Sequence, residues 1–294
     1  MNLQFSNTDE LLSLCKERKS PISRIMLERE LARGERDRAA IAEHMAMTLN
    51  TMRASITKGI EEKQNSVTGL TGGDAELLHS FALRSMMGPL LCRAVAASMA
   101  VVEVNASMGR IVAAPTAGAS GILPGVLITC GDAMCWSDDQ LIMGLFNAGA
   151  IGSIIASNAT ISGAEGGCQA ETGSGAAMAA SALTELRGGT PAMCVNAAAI
   201  ALKNVMGLVC DPVAGLVECP CIKRNAIGAA NAVLCSDLVL AGIKSIIPLD
   251  EAVSAMRSVG RAMSPDLRET ANGGLAATPT AKRIRAQLGL DSYE

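Results

Sequence analysis

Between Gly163 and Asn225 the sequence reads GAEGGCQAETGSG, continues through a long alanine-rich stretch, and closes with GLVCDPVAGLVECPCIKRN. Alanine-rich runs favour helix and carry little side chain, so the elements they form must pack closely. Aromatic residues are only 2% of the 294 residues, with one Trp and one Tyr. A core must therefore come from Ala, Leu, Ile, Val and Met, and the 29 glycines permit close approach. Sandwiches draw on aromatic and β-branched residues, so the expected class is all-α, a multi-helix domain with Gly/Pro-rich loops.

Three cysteines of this stretch, Cys168, Cys210 and Cys221, each lie next to glycine or proline and near charged or amide side chains. As core residues they would be small apolar fillers, the usual role of a buried cysteine. As thiolates they would suit a metal: glycines admit the backbone, prolines direct it, and loop N–H groups donate to sulfur. Their spacing places them on separate loops that must converge. Three ligands rather than four leave one coordination position open for Lewis-acid chemistry. The spacing alone does not choose between filler and ligand.

The formal net charge is −3 with no basic block, which gives no electrostatic case for nucleic acid. Ten cysteines in a chain of this length do not form a disulfide scaffold, and the start, MNLQFSNTDELLSLCKERK, is polar and charged. The expected location is the reducing cytoplasm. Two apolar stretches, Leu141–Ser157 and Pro89–Val104, are interrupted by polar or charged residues, so they read as buried core helices and not as membrane spans.

Residues 1–65 form a charged, glycine-poor helical segment, and residues 66–294 a second, larger domain. In the first, Ser20 is the expected N-cap of a helix starting at Pro21, and His44 lies on a helix face. KQNSVTGLTGGD, Lys63–Asp74, reads as a loop, with Asp74 capping the helix from Ala75; His79 then sits within a helical pattern. A long helix is expected over Pro89–Asn105. The small-residue loop that follows it offers free N–H groups for an anion, with Asn105, Thr116 and Ser120 as candidate carboxylate ligands. Cys130 and Cys135 read as structural. Further helices are expected over Ala176–Leu186, Pro191–Val209, Ala226–Lys244 and Leu249–Met263, the last capped by Asp250. Lys203 reads as a solvated helix residue.

Four blocks, SMGRIVAAPTAGASGILPGVL, GAEGGCQAE, GLVCDPVAGLVECPCIKRNAIGAANA and RETANGGLAATPTA, together resemble the alpha chain of the iron–sulfur-dependent L-serine dehydratases. The resemblance runs from about residue 68 to 280, in the family's order. It implies a 4Fe-4S cluster held by Cys168, Cys210 and Cys221, with the fourth iron open to substrate. The family commonly has an apolar residue at the position of Cys219. In an extended Cys-Pro-Cys, alternate side chains point opposite ways, so only one of this pair ligates easily; the motif places that ligand at Cys221.

The resemblance further implies an iron–sulfur catalytic domain that deaminates L-serine to pyruvate and ammonia. Gln169, Arg224 and Asn225 join Asn105, Thr116 and Ser120 as candidate substrate ligands, Arg because its guanidinium matches a carboxylate bidentately. The family's Ser-His-Thr-Val-Gly-Pro-Met motif is missing here and belongs to a small beta chain in two-subunit members. The base is therefore expected from a beta subunit, with Glu165 and Glu171 as the local candidates should the chain act alone. An L-cysteine desulfidase on a similar scaffold and a non-catalytic iron–sulfur redox protein are the alternatives.

Overall fold

The computed structural model describes residues 3–290. In chain order the helices are α1 (Thr8–Arg18), α2 (Ile22–Arg33), α3 (Arg38–Glu61), α4 (Asp74–Phe81), α5 (Pro89–Ala106), α6 (Ile122–Met134) and α7 (Asp138–Asn158). The short α8 (Gly163–Gly166) then leads into α9 (Cys168–Leu186), α10 (Pro191–Asn204), α11 (Cys221–Leu240), α12 (Leu249–Ala262) and α13 (Pro279–Gln287). Among the described residues there is no strand, only one isolated parallel bridge between Cys210 and Arg268. The fold is all-α, as composition and periodicity suggested.

α9 is the central post. It packs against α6, α7, α10 and α11, and Cys168–Thr184 are buried almost throughout. A helix surrounded on every side needs small side chains, which explains the alanine-rich sequence. The same economy brings α5 and α6 together: a Cβ on Gly125 would stand 2.6 Å from the Ser98 backbone nitrogen. Cys15, Cys92, Cys130, Cys194 and Cys235 are buried free thiols, and all ten cysteines are unpaired. The helices of the first sixty residues join this core: Leu11, Ile22, Ile25, Leu49 and Met52 lie in one apolar cluster with α5, α6, α7 and α9.

Several boundaries differ from the sequence expectations. α9 begins at Cys168, eight residues before Ala176, because burial offsets the weak helix propensity of Gly173 and Gly175. Likewise α11 starts at Cys221, not Ala226, and α10 stops at Asn204. Ser20 is not a cap; Pro21 holds that position, and the Ser20 hydroxyl bonds the Arg18 carbonyl. Asp74 is the first residue of α4 and not its cap. The N–H groups of Gly73, Asp74 and Ala75 donate instead to the buried Glu103 carboxylate of α5, at 3.1, 2.9 and 3.2 Å. Asp250 does not cap α12; its carboxylate accepts the Thr8 N–H and hydroxyl, tying α12 to α1. Lys203 is not free in solvent, since its ammonium donates to Ser245. By length and hydropathy α5 and α7 could each cross a membrane, but most of each is covered by other helices.

Candidate active site

Two helix starts and one extended segment meet at the three cysteines. Gly167, at φ 77° where a Cβ would be strained, turns the chain between α8 and α9 and sets Cys168 as the first residue of α9. The Cys168 sulfur lies 3.0 Å from the Thr172 hydroxyl one turn along. Cys221 opens α11 and is buried, whereas Cys219, two residues earlier, is exposed. Cys168 and Cys221 thus stand at helix N-termini, not in loops, and both face the positive end of a helix dipole.

Cys210 is held by backbone bonding to a distant segment. Its N–H donates to Leu267 at 2.8 Å, and its carbonyl accepts the Glu269 N–H at 2.6 Å. Glu269 adopts φ 63°, a conformation that an L residue other than Asn or Asp seldom takes. Its side chain reaches the site: a Cβ on Gly163 would lie 2.8 Å from the Cys210 sulfur, 3.3 Å from Glu171 Oε2 and 3.4 Å from Glu269 Oε2. Glycine at 163 keeps that space clear.

Electrostatics links the group. Burial pushes the Cys210 thiol up, and Cys168, Glu269, Glu171 and Cys221 push it further. Burial also raises Cys221, followed by Cys168 and Glu171, with Arg224 opposing. Burial likewise raises Cys168, against the Thr172 hydroxyl and Arg224. Glu171, half-buried, accepts the Thr116 hydroxyl at 2.5 Å; burial and Glu269 raise its carboxyl, while Thr116 and Arg224 pull it down. Burial and mutual repulsion keep the three thiols protonated in the absence of a bound group. The chemistry of this donor set fits a group held through sulfur. No three His, Cys, Asp or Glu side chains among the described residues are gathered tightly enough for a single metal ion.

The other sequence-derived candidates divide. Arg224 is buried, and donates to the Asp211 carboxylate at 2.6 Å and the Val209 carbonyl at 2.7 Å. Two of its five N–H donors are thus committed to the protein itself. Gln169 bonds the Gly166 and Met256 carbonyls and the Gly207 N–H, leaving its amide fully used. Asn225 likewise bonds Gly121 N–H, Gly118 O and Cys221 O, fastening the Thr116–Gly121 loop to the start of α11. These two are braces, because a buried amide with every polar atom paired has nothing left for a ligand. The buried Ser120 hydroxyl bonds Ala117 O. Asn105, half-buried in the last turn of α5, makes no side-chain hydrogen bond to the others. Glu165 is exposed on α8 beside Arg257 and Arg261, around a separate surface hollow, and does not join the thiols.

Sequence reasoning passed over Glu269 and Asp211. Both lie in blocks that carry the family resemblance, RETANGG and GLVCDPVAG, and Asp211 directly follows Cys210. Thr68 and Thr71 donate to buried Glu218 at 2.9 and 2.8 Å, and Lys223 pairs with Asp74 at 2.5 Å. The TGLTGGD loop therefore braces the turn that carries Cys219 and Cys221.

Comparison with known proteins identifies the family. Residues 17–276 match the model of the family described as "Serine dehydratase alpha chain". The chain is 48% identical over 286 residues to the "Probable L-serine dehydratase, alpha chain" of Bacillus subtilis, covering 97% of this chain and 95% of that one. It is 42% identical to the L-serine dehydratase alpha chain of Peptoniphilus asaccharolyticus, over 94% of this chain and 95% of the relative. Against the L-serine dehydratase of Streptomyces coelicolor it is 41% identical over 92% of its length, which is 60% of that longer protein. The chain belongs to the serine dehydratase alpha chain family.

Proposed function

We propose that the chain is the catalytic alpha subunit of an L-serine dehydratase, and that Cys168, Cys210 and Cys221 hold a 4Fe-4S cluster. The observation that carries this reading is the meeting of these three buried thiols with Glu171 in one site, built from the starts of α9 and α11 and the Cys210–Arg268 bridge. The names of the relatives specify L-serine, which favours this reading over cysteine desulfidation or electron transfer.

The reaction removes the α-proton and β-hydroxyl of serine as water. The aminoacrylate tautomerises to an imine, which a second water hydrolyses to pyruvate and ammonia. Cys168, Cys210 and Cys221 would hold the cluster, which would supply Lewis-acid chemistry to the substrate. Glu171, held by Thr116 and inclined by burial to keep its proton, would protonate the departing hydroxyl. Arg224, fixed by Asp211, offsets the negative charge of the thiolates. Neither histidine belongs to the site: His44 is exposed on α3, and His79 lies on α4 beside a separate groove. The acceptor of the α-proton is accordingly assigned to a second, beta chain.

Anaerobic reconstitution with ferrous iron and sulfide tests this, with pyruvate measured from L-serine and, in parallel, L-cysteine. The beta chain is added in one arm. Iron and sulfide uptake with serine-dependent pyruvate is expected, rising sharply with the beta chain. Stoichiometric zinc in place of iron and sulfide would reject the cluster; pyruvate from cysteine but not from serine would reject the substrate.

A further inference from the structure

α3, α4, α5 and α6 enclose an open groove of about 570 Å³ on the side of the protein served by the far ends of α4 and α6. Its walls are apolar: Ile56, Ile60, Leu90, Ala97 and Ile128. Arg93, His79, Glu61 and Asp132 give a rim of mixed charge. The chain entering it, from the end of α4 to the start of α5, exposes Phe81, Leu83, Met86, Met87 and Leu90, with Met86 fully exposed. Arg84 covers only one face of Phe81, at 4.9 Å. So many large apolar side chains in ten residues, several of them adaptable methionines, exceed the scattered exposure of an ordinary surface.

From this groove we infer that it is the docking surface for the second subunit of the enzyme, an inference that rests on the two-chain reading above. Three observations select that occupant. The chain matches 60% of the single-chain Streptomyces relative, so an equivalent single chain carries substantial protein beyond this one. The groove is connected to the thiol site by one short rigid element: Asp74, opening α4, pairs with Lys223, two residues after Cys221, and His79 near its other end lines the groove. Eight helical residues span roughly 12 Å, so a domain seated in the groove lies within reach of the site. Finally, the groove is open, with apolar walls and a charged rim, as suits the apolar face of a partner segment.

The test uses the full chain co-expressed with its beta chain and purified anaerobically. Met86→Asp and Leu90→Asp are compared with wild type and with Ile246→Asp, a change at an exposed apolar residue elsewhere. Association is measured by light scattering and titration, and iron content and helicity are followed alongside. Both groove variants should weaken association at least tenfold with unchanged iron and helicity, while Ile246→Asp should bind as wild type does. Met86 touches little within the chain, so Met86→Asp reports on docking even if Leu90→Asp perturbs the fold. An intact complex in Met86→Asp would overturn the docking surface and leave the two-subunit reading standing. A wild-type chain that turns over serine fully and binds no beta chain would overturn both. A homodimer broken by Met86→Asp, with beta-chain binding unaffected, would assign the groove to a second copy and also overturn the inference.

Discussion

The Arg224 guanidinium meets the Asp211 carboxylate at 2.6 Å, with both side chains nearly sealed from solvent. Asp211 also accepts the Leu275 N–H at 2.7 Å, so one buried carboxylate joins α11, the segment after Cys210 and the segment near residue 275. Removing one partner of such a pair leaves an uncompensated buried charge, at a cost of about 3–5 kcal/mol. Asp211→Ala should lower the urea midpoint of the reduced protein accordingly. Arg224→Lys should fall between it and wild type, because an ammonium reproduces the charge but not the fork. An unchanged midpoint for Asp211→Ala would show that the pair does not support the fold.

Cys221 and Cys219 should separate cleanly. Cys221 is buried at the start of α11 among the other thiols, whereas Cys219 is exposed. After anaerobic reconstitution, Cys221→Ser should lose bound iron and sulfide, and Cys219→Ser should keep most of both. Equal loss in the two variants would mean that the pair is wrongly assigned.

Glu171 and Glu165 differ in the same way. Glu171→Gln should abolish most serine turnover in the reconstituted complex while iron content persists. Thr116→Val removes a hydrogen bond to a carboxyl that burial keeps protonated, on the order of 0.5–1.5 kcal/mol, so kcat/KM should fall roughly 2- to 13-fold. Glu165→Gln, on the exposed face of α8, should leave kcat within twofold of wild type (~0.4 kcal/mol or less). A large loss in Glu165→Gln alone would move the acid–base group to α8.

The core cysteines predict an alkaline limit to stability. Burial, chiefly, pushes the thiols of Cys15 and Cys130 up to about 12 and about 11 from an ordinary value of 9.0. A folded pKa above the unfolded one favours folding below the unfolded value, and that stability is lost as pH rises through the folded value. The urea midpoint should therefore decline between about pH 9 and 12. Cys130→Ala should flatten part of that decline, whatever its effect at neutral pH. A slope identical to wild type would mean that the buried thiol is not what titrates.

Local chemistry in the sequence determined the helical class, the small-residue packing and most helix positions. Few aromatics with many alanines leave no other way to build a core, and the family blocks single out Cys168, Cys210 and Cys221. The tertiary structure decided what the neighbouring side chains do. Gly173 and Gly175 look like a loop in isolation but lie inside α9, because surrounding helices favour small residues over intrinsic propensity. Arg224, Gln169 and Asn225 look like ligands in a one-dimensional motif, yet each is engaged by buried groups up to 107 residues away. Glu269 reaches the site through backbone pairing with Cys210, 59 positions earlier in the chain. Spacing constrains only near neighbours; which buried polar atoms find partners, and which remain for a ligand, depends on how distant segments pack.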